Sequence, residues 1–92
     1  MNTDFMTLKI VTPEGILTEI SCDSVIITVR DGKNGKNGGQ YGIRKGHAPS
    51  LFATGHGFIT GKRNDEIIFR EILREGFARV SENTVTVTAE KE

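Results

Sequence analysis

The chain has 92 residues, so it forms one small domain with a lean core and no room for a large buried active site. Twelve Lys and Arg balance twelve Asp and Glu, which excludes a general nucleic-acid or acidic-membrane binder that works through basic excess. A single cysteine, Cys22, excludes an intrachain disulfide and a thiolate metal site.

Val, Ile and Thr total 26 residues, against 8 for Ala and Leu together. β-Branched side chains fit a pleated surface and lose rotamer freedom in helices, so composition points to a mostly-β domain with many short strands. No apolar run approaches the ~20 residues that span a bilayer, and the opening residues lack a basic start and an apolar stretch, so direct membrane insertion is not expected.

In chain order, Met6 to Thr12 alternates apolar and polar residues and reads as a half-buried strand. Thr12-Pro13-Glu14-Gly15 is a turn, with proline presetting φ and glycine closing it. Ile16, Thr18 and Ile20 share a face of the next strand, and Val25 to Val29 forms another, apolar enough for cover on both sides. Arg30 to Gly39 has no apolar residue and holds two Asn-Gly pairs, so it reads as a mobile loop tip. From Tyr41 to Arg63, short strand-like pieces are cut by glycines and by Pro49. Within them Gly42 and Gly46 flank a tight basic turn where a positive φ is expected. Asn64-Asp65 is a further turn, and Thr84 to Thr88 alternates strictly. Ile67 to Phe77 is ambiguous: Ile68, Phe69, Ile72, Leu73 and Phe77 recur at helical spacing.

The glycine-rich loop carries neither G-x-x-x-x-G-K-[ST] nor a G-x-G-x-x-G opening a helix, so a phosphate cradle is not indicated. Asp31 could open a calcium loop, but Lys33 and Gly35 stand where oxygen ligands belong. His47 and His56 have no second ligand at metal spacing, and the scattered carboxylates read as solvated surface. Charge is concentrated in one place. Arg30, Lys33, Lys36, Arg44 and Lys45 against Asp31 give 5 − 1 = +4 between Arg30 and His47. Such a loop is either solubilising surface or a contact for an acidic or polar partner.

The stretch Tyr41-Gly42-Ile43-Arg44-Lys45-Gly46-His47-Ala48-Pro49-Ser50-Leu51 resembles the G-[IV]-x-P-G-H-A-P-L-L signature of the epsilon subunit of rotary ATP synthases. Leu8 to Gly15 is similar to that family's first strand and turn, Gly76 to Val80 to its glycine–apolar strand start, and Ser81 to Glu90 to its closing strand. The resemblance covers about Leu8 to Glu90 of a single domain, 1–92.

It implies a ten-stranded β-sandwich of the epsilon amino-terminal type, with Ile67 to Phe77 as strand. It also implies a non-catalytic central-stalk rotor subunit of a proton- or sodium-translocating ATP synthase. The expected partners are the gamma subunit and the c ring, with gamma held by an apolar patch with a polar rim. The place is peripheral, at the cytoplasmic face of the membrane. Gln40, Tyr41, Gly42, Arg44, Lys45, Gly46 and His47 are the expected partner-binding residues. Gln40 replaces a usual acidic residue and Lys45 a usual proline, which makes the ring-facing end more basic. Glu92 follows directly on the resemblance, so the helical hairpin in which some members bind ATP is not expected, and no cofactor, metal or nucleotide is implied. The alternative is a free-standing β-sandwich binding module that uses the basic glycine-rich loop.

Overall fold

A computed structural model describes residues 5–30 and 37–92, the side chains of 37 and 38 excepted. Eight strands make up the described chain: β1 Met6–Thr12, β2 Gly15–Cys22, β3 Ser24–Arg30, β4 Asn37–Arg44, β5 Ser50–Thr54, β6 Gly57–Arg63, β7 Glu66–Ser81 and β8 Thr84–Lys91. Eight strands replace the expected ten, and β7 alone is 16 residues long.

The strands form two layers joined through β7. Its carboxy-terminal part pairs with β5 on one side and β8 on the other, and β8 leads through a parallel pairing to β1 and then β2. Its amino-terminal part pairs with β6, which leads to β3 and β4. One pairing of Val29 with Thr54 joins β3 to β5 at the opposite corner.

Alternation places the core. Met6, Leu8 and Ile10 of β1, Val85, Val87 and Ala89 of β8, and Ala78 and Val80 of β7 fill one inner face. Val25 and Ile27 of β3, Ile43 of β4 and Ile59 of β6 meet them from the other layer. Gly61 lies under Ile20 and Leu8, where a Cβ would stand 3.2 and 3.3 Å from their methyl carbons.

The turns follow the sequence. Thr12 Oγ1 donates to Gly15 O at 3.0 Å and accepts from Glu14 N at 3.2 Å. Asn64-Asp65 and Glu82-Asn83 each hold two consecutive positive φ angles, the backbone of a two-residue hairpin that matches strand twist. Gly42, expected with Gly46 to need a positive φ, is ordinary extended strand inside β4. Of the expected loop tip, residues 31–36 lie outside the described residues, and from Asn37 the chain is already β4.

The ambiguous segment is strand. Phe69 and Leu73 pack inward in the first part of β7, whereas Ala78 and Val80 point inward in the second. The inward positions change from odd to even because a bulge separates Leu73, opposite Lys91, from Gly76, opposite Ala89. Gly76 to Val80 therefore continues a strand and does not start one. A Cβ on Gly76 would lie 2.0 Å from Thr88 O and 2.8 Å from Ala89 Cβ. We expect Gly76→Ala to lower stability by about 2–3 kcal/mol, read as a lower urea midpoint with an unchanged slope.

Cys22 ends β2 fully buried. Burial chiefly, and the Asp23 carboxylate after it, push its thiol up to about 11 from 9.0, with the Arg63 guanidinium opposing. The native state thus keeps its proton at pH values where the unfolded chain has lost it, and stability falls as pH rises from 9 to 11. The loss amounts to about 2–3 kcal/mol across that window. Cys22→Ala should flatten this slope in pH-dependent denaturation and leave the curve below pH 8 parallel to that of the parent.

Candidate functional site at the β4–β5 seam

β4 is an edge strand of one layer, and β5 borders the other. Within β4 the pleat divides the expected partner-binding residues between two faces. Tyr41 stands opposite Ile27 and Ile43 opposite Val25, on the inner side. Gln40, Gly42 and Arg44 stand opposite Thr28, Ile26 and Ser24, on the other side. A contiguous sequence motif therefore gives two surfaces.

On the inner side Tyr41, 40% exposed, closes the seam between the layers. Its ring packs on Phe52 of β5 with centroids 5.0 Å apart and planes tilted by 40°. The chain then turns through Lys45 and Gly46, where φ is +84° at Gly46, and His47 N donates to Arg44 O at 3.1 Å. This turn returns the imidazole to the seam, edge-on to Tyr41 at 5.8 Å and 6.0 Å from Phe52. His47 Nδ1 lies 2.8 Å from Ala48 O, and Nε2 lies 2.9 Å from the Tyr41 hydroxyl. Ser50 Oγ donates to the same Ala48 carbonyl at 2.8 Å. Gly46 N donates to Asn83 Oδ1 at 3.4 Å, and Asn83 Nδ2 donates to Phe5 O at 3.4 Å. The signature loop is thus tied to the β7–β8 turn and to the start of β1.

Tyr41, Gly46 and His47 form one constellation. Gln40, Arg44 and Lys45 are exposed around it, and neither Arg44 nor Lys45 has an ion-pair partner among the described residues. No group of three or more His, Cys, Asp or Glu among the described residues could hold a metal ion. No helix among them is long and apolar enough to cross a membrane.

A second surface was not singled out residue by residue from the sequence. Across the outer face of the β2–β1–β8–β7–β5 layer, register places Ile16, Val11, Thr88, Phe77 and Ala53 in one row. The next row runs Glu19, Lys9, Thr86, Arg79 and Leu51. Leu51 is 69% exposed, and Phe77 and Ile16 are 58% exposed. Three large apolar side chains on one sheet face, with Lys9, Glu19 and Arg79 beside them, have the layout of a partner contact. The apolar run Leu51-Phe52-Ala53, which a strand must divide between two faces, was the available signal, but only register shows which strands bring Phe77 and Ile16 alongside.

Residues 5–91 match the model of the family described as ATP synthase, Delta/Epsilon chain, beta-sandwich domain. An ATP synthase epsilon chain from Symbiobacterium thermophilum is 36% identical over 86 residues, covering 92% of this chain and 56% of the relative. One from Granulibacter bethesdensis is 31% identical over 85 residues, covering 92% and 58%. A chain of the Tetrahymena thermophila mitochondrial ATP synthase, solved as its central stalk and c ring, superposes with a TM-score of 0.70 at 14% identity, over 99% of this chain and 67% of that one. The chain belongs to the β-sandwich domain family of ATP synthase delta and epsilon chains. It spans a little over half the length of the two curated relatives.

Gly46 is the residue on which the seam depends locally, since its backbone angle is one that side-chain-bearing residues rarely adopt. No atom stands within 4 Å of a Cβ there, so the penalty of a substitution is conformational and not steric. Gly46→Val should cost about 1–3 kcal/mol and weaken the aromatic near-ultraviolet signal from the Tyr41 seam. An unchanged denaturation midpoint would remove the argument.

Proposed function

We propose that this domain is a non-catalytic rotor piece of an ion-translocating ATP synthase, coupling the gamma subunit to the c ring from the cytoplasmic side of the membrane. The observation that carries the reading is the family match over residues 5–91, in a chain that keeps the G-H-A-P element on a closed aromatic seam. A torque-bearing adaptor needs stiffness and two separate contact surfaces. A packed sandwich supplies the stiffness. The exposed basic residues Arg44 and Lys45 supply a polar contact suited to ring loops, together with Gln40. The apolar row of Ile16, Phe77 and Leu51 supplies a contact suited to gamma.

The free-standing-module reading rests on the basic loop alone, and the family match gives it no support. Proton or sodium passage belongs to the ring and needs no group on this domain.

The test is recovery of gamma and c ring by the tagged chain, with circular dichroism as the fold control. Arg44→Glu with Lys45→Glu should lower ring recovery, more so at low salt, because rim charges act chiefly through screened long-range attraction. Phe77→Asp with Leu51→Asp should lower gamma recovery about tenfold or more, since one buried large apolar side chain contributes about 1.5–3 kcal/mol. Full recovery of both partners by both variants would overturn the assignment of these surfaces. Failure of the parent chain to recover either partner would overturn the rotor reading.

A further inference from the structure

The hydrogen bonds of His47 can be assigned from donor and acceptor chemistry alone. Ala48 O can only accept, so Nδ1 carries a hydrogen in every charge state that keeps this 2.8 Å bond. In the neutral ring Nε2 then has a lone pair and no hydrogen. The 2.9 Å contact with Tyr41 is satisfied only if the tyrosine hydroxyl donates. In the protonated ring Nε2 carries a hydrogen and the direction reverses: Nε2–H donates and the tyrosine oxygen accepts. Neither state requires the ring to move from its place 6.0 Å from Phe52.

We propose that His47 is a proton-operated switch of the polarity that Tyr41 presents to a partner. When His47 is neutral, the hydroxyl hydrogen of Tyr41 is spent on Nε2, and the exposed oxygen offers only lone pairs. When Nε2 takes up a proton from solvent, the hydroxyl hydrogen is released and points outward as a donor. The same proton adds one positive charge beside Arg44 and Lys45, raising the local formal charge from +2 to +3. The state at low pH suits a partner loop that presents carboxylates or carbonyl oxygens, and the state at high pH does not.

The other titratable and charged groups on the segments next to His47 are few. Arg44 and Lys45 belong to the end of β4 and its turn, Arg79 to the stretch of β7 from Gly76 to Val80 that pairs with β5, and Glu82 to the β7–β8 turn that receives Gly46 N; the remaining charged residues of β7, Glu66, Arg70, Glu71, Arg74 and Glu75, precede that stretch. β5 brings Ser50, Leu51 and Phe52, none of them charged. Glu82 is the single acidic group of this set, and it is present in both states of the switch.

The affinity part rests on the ring contact proposed above, whereas the tautomer part does not. Nitrogen-15 long-range NMR on the isolated chain should place the hydrogen of neutral His47 on Nδ1 at pH 8. The His47–Phe52 ring contact should persist at pH 5.5. A hydrogen on Nε2 at pH 8, or loss of the contact at pH 5.5, overturns the switch.

The second arm measures binding to the solubilised c ring. The parent chain should bind about three- to tenfold more tightly at pH 5.5 than at pH 8, and His47→Gln, checked for fold by circular dichroism, should show no such gain. Tyr41→Phe keeps the added charge but has no hydroxyl, and should retain only part of the gain. Equal affinity of the parent at both pH values, or an equal gain in His47→Gln, overturns the link to binding. A parent chain that captures no ring at either pH overturns the rotor reading and the affinity claim together, while the tautomer measurement still decides the switch.

Discussion

At Gly76 two backbones approach so closely that no side chain fits: the Thr88 carbonyl oxygen occupies the space a Cβ would need. Here β7, having paired with β6 in one layer as far as Leu73, begins to pair with β5 and resumes its pairing with β8 in the other. A continuous strand can serve both layers only if its inward face is reset as it passes between them. The bulge between Leu73 and Gly76 does this by inserting one extra residue, and glycine allows β8 to close up against it. Both walls of the sandwich depend on that passage. The alternative, two shorter strands joined by a loop, would interrupt the strand between the two layers.

The same device explains what was and was not legible in the sequence. β1 alternates from Met6 to Ile10 and β8 from Thr84 to Thr88, and their inward residues Leu8, Ile10, Val85 and Val87 are fully buried as their pattern requires. The turns at Thr12–Gly15 and Asn64-Asp65 could be read from residue type, because proline, glycine and asparagine each have a local backbone reason to be there. Ile67 to Phe77 could not be read from periodicity. Phe69 and Leu73 are inward residues of one phase, and Phe77 is an outward residue beyond the phase change. Joined across a bulge, two period-2 patterns gave apolar positions at 69, 73 and 77, four apart, which imitate a helix. Only the family resemblance decided the segment, and the described residues form eight strands, with β7 running unbroken through both layers.

The candidate site was legible in position but not in arrangement. Seven consecutive or near-consecutive residues, Gln40 to His47, stood out as one motif. The pleat sends Tyr41 inward while Gln40 and Arg44 go to the other face, and Gly46 then folds His47 back onto Tyr41. Phe52, which completes the seam, was not in the motif reading, although it lies two residues beyond Ser50 on the next strand. The outer apolar face was harder still. Ile16 and Phe77 are 61 positions apart, and only the β1–β8 parallel pairing and the β7–β8 register bring them into one row.

The seam and the outer apolar face are tied together through a residue that belongs to neither. The seam is anchored through Asn83, whose carbonyl accepts from Thr7 N at 3.0 Å and whose side chain links Gly46 to Phe5. Asn83 itself holds a positive φ of 62° in the β7–β8 hairpin, and asparagine tolerates that conformation better than most side-chain-bearing residues. The turn thus joins the end of β7, the start of β1 and the signature loop at one point. Asn83 links the seam by hydrogen bonds to the start of β1 and sits in the turn that leads into β8, the strands that carry Val11 and Thr88 of the apolar face. Two surfaces far apart in sequence are therefore coupled by a short run of backbone and amide hydrogen bonds.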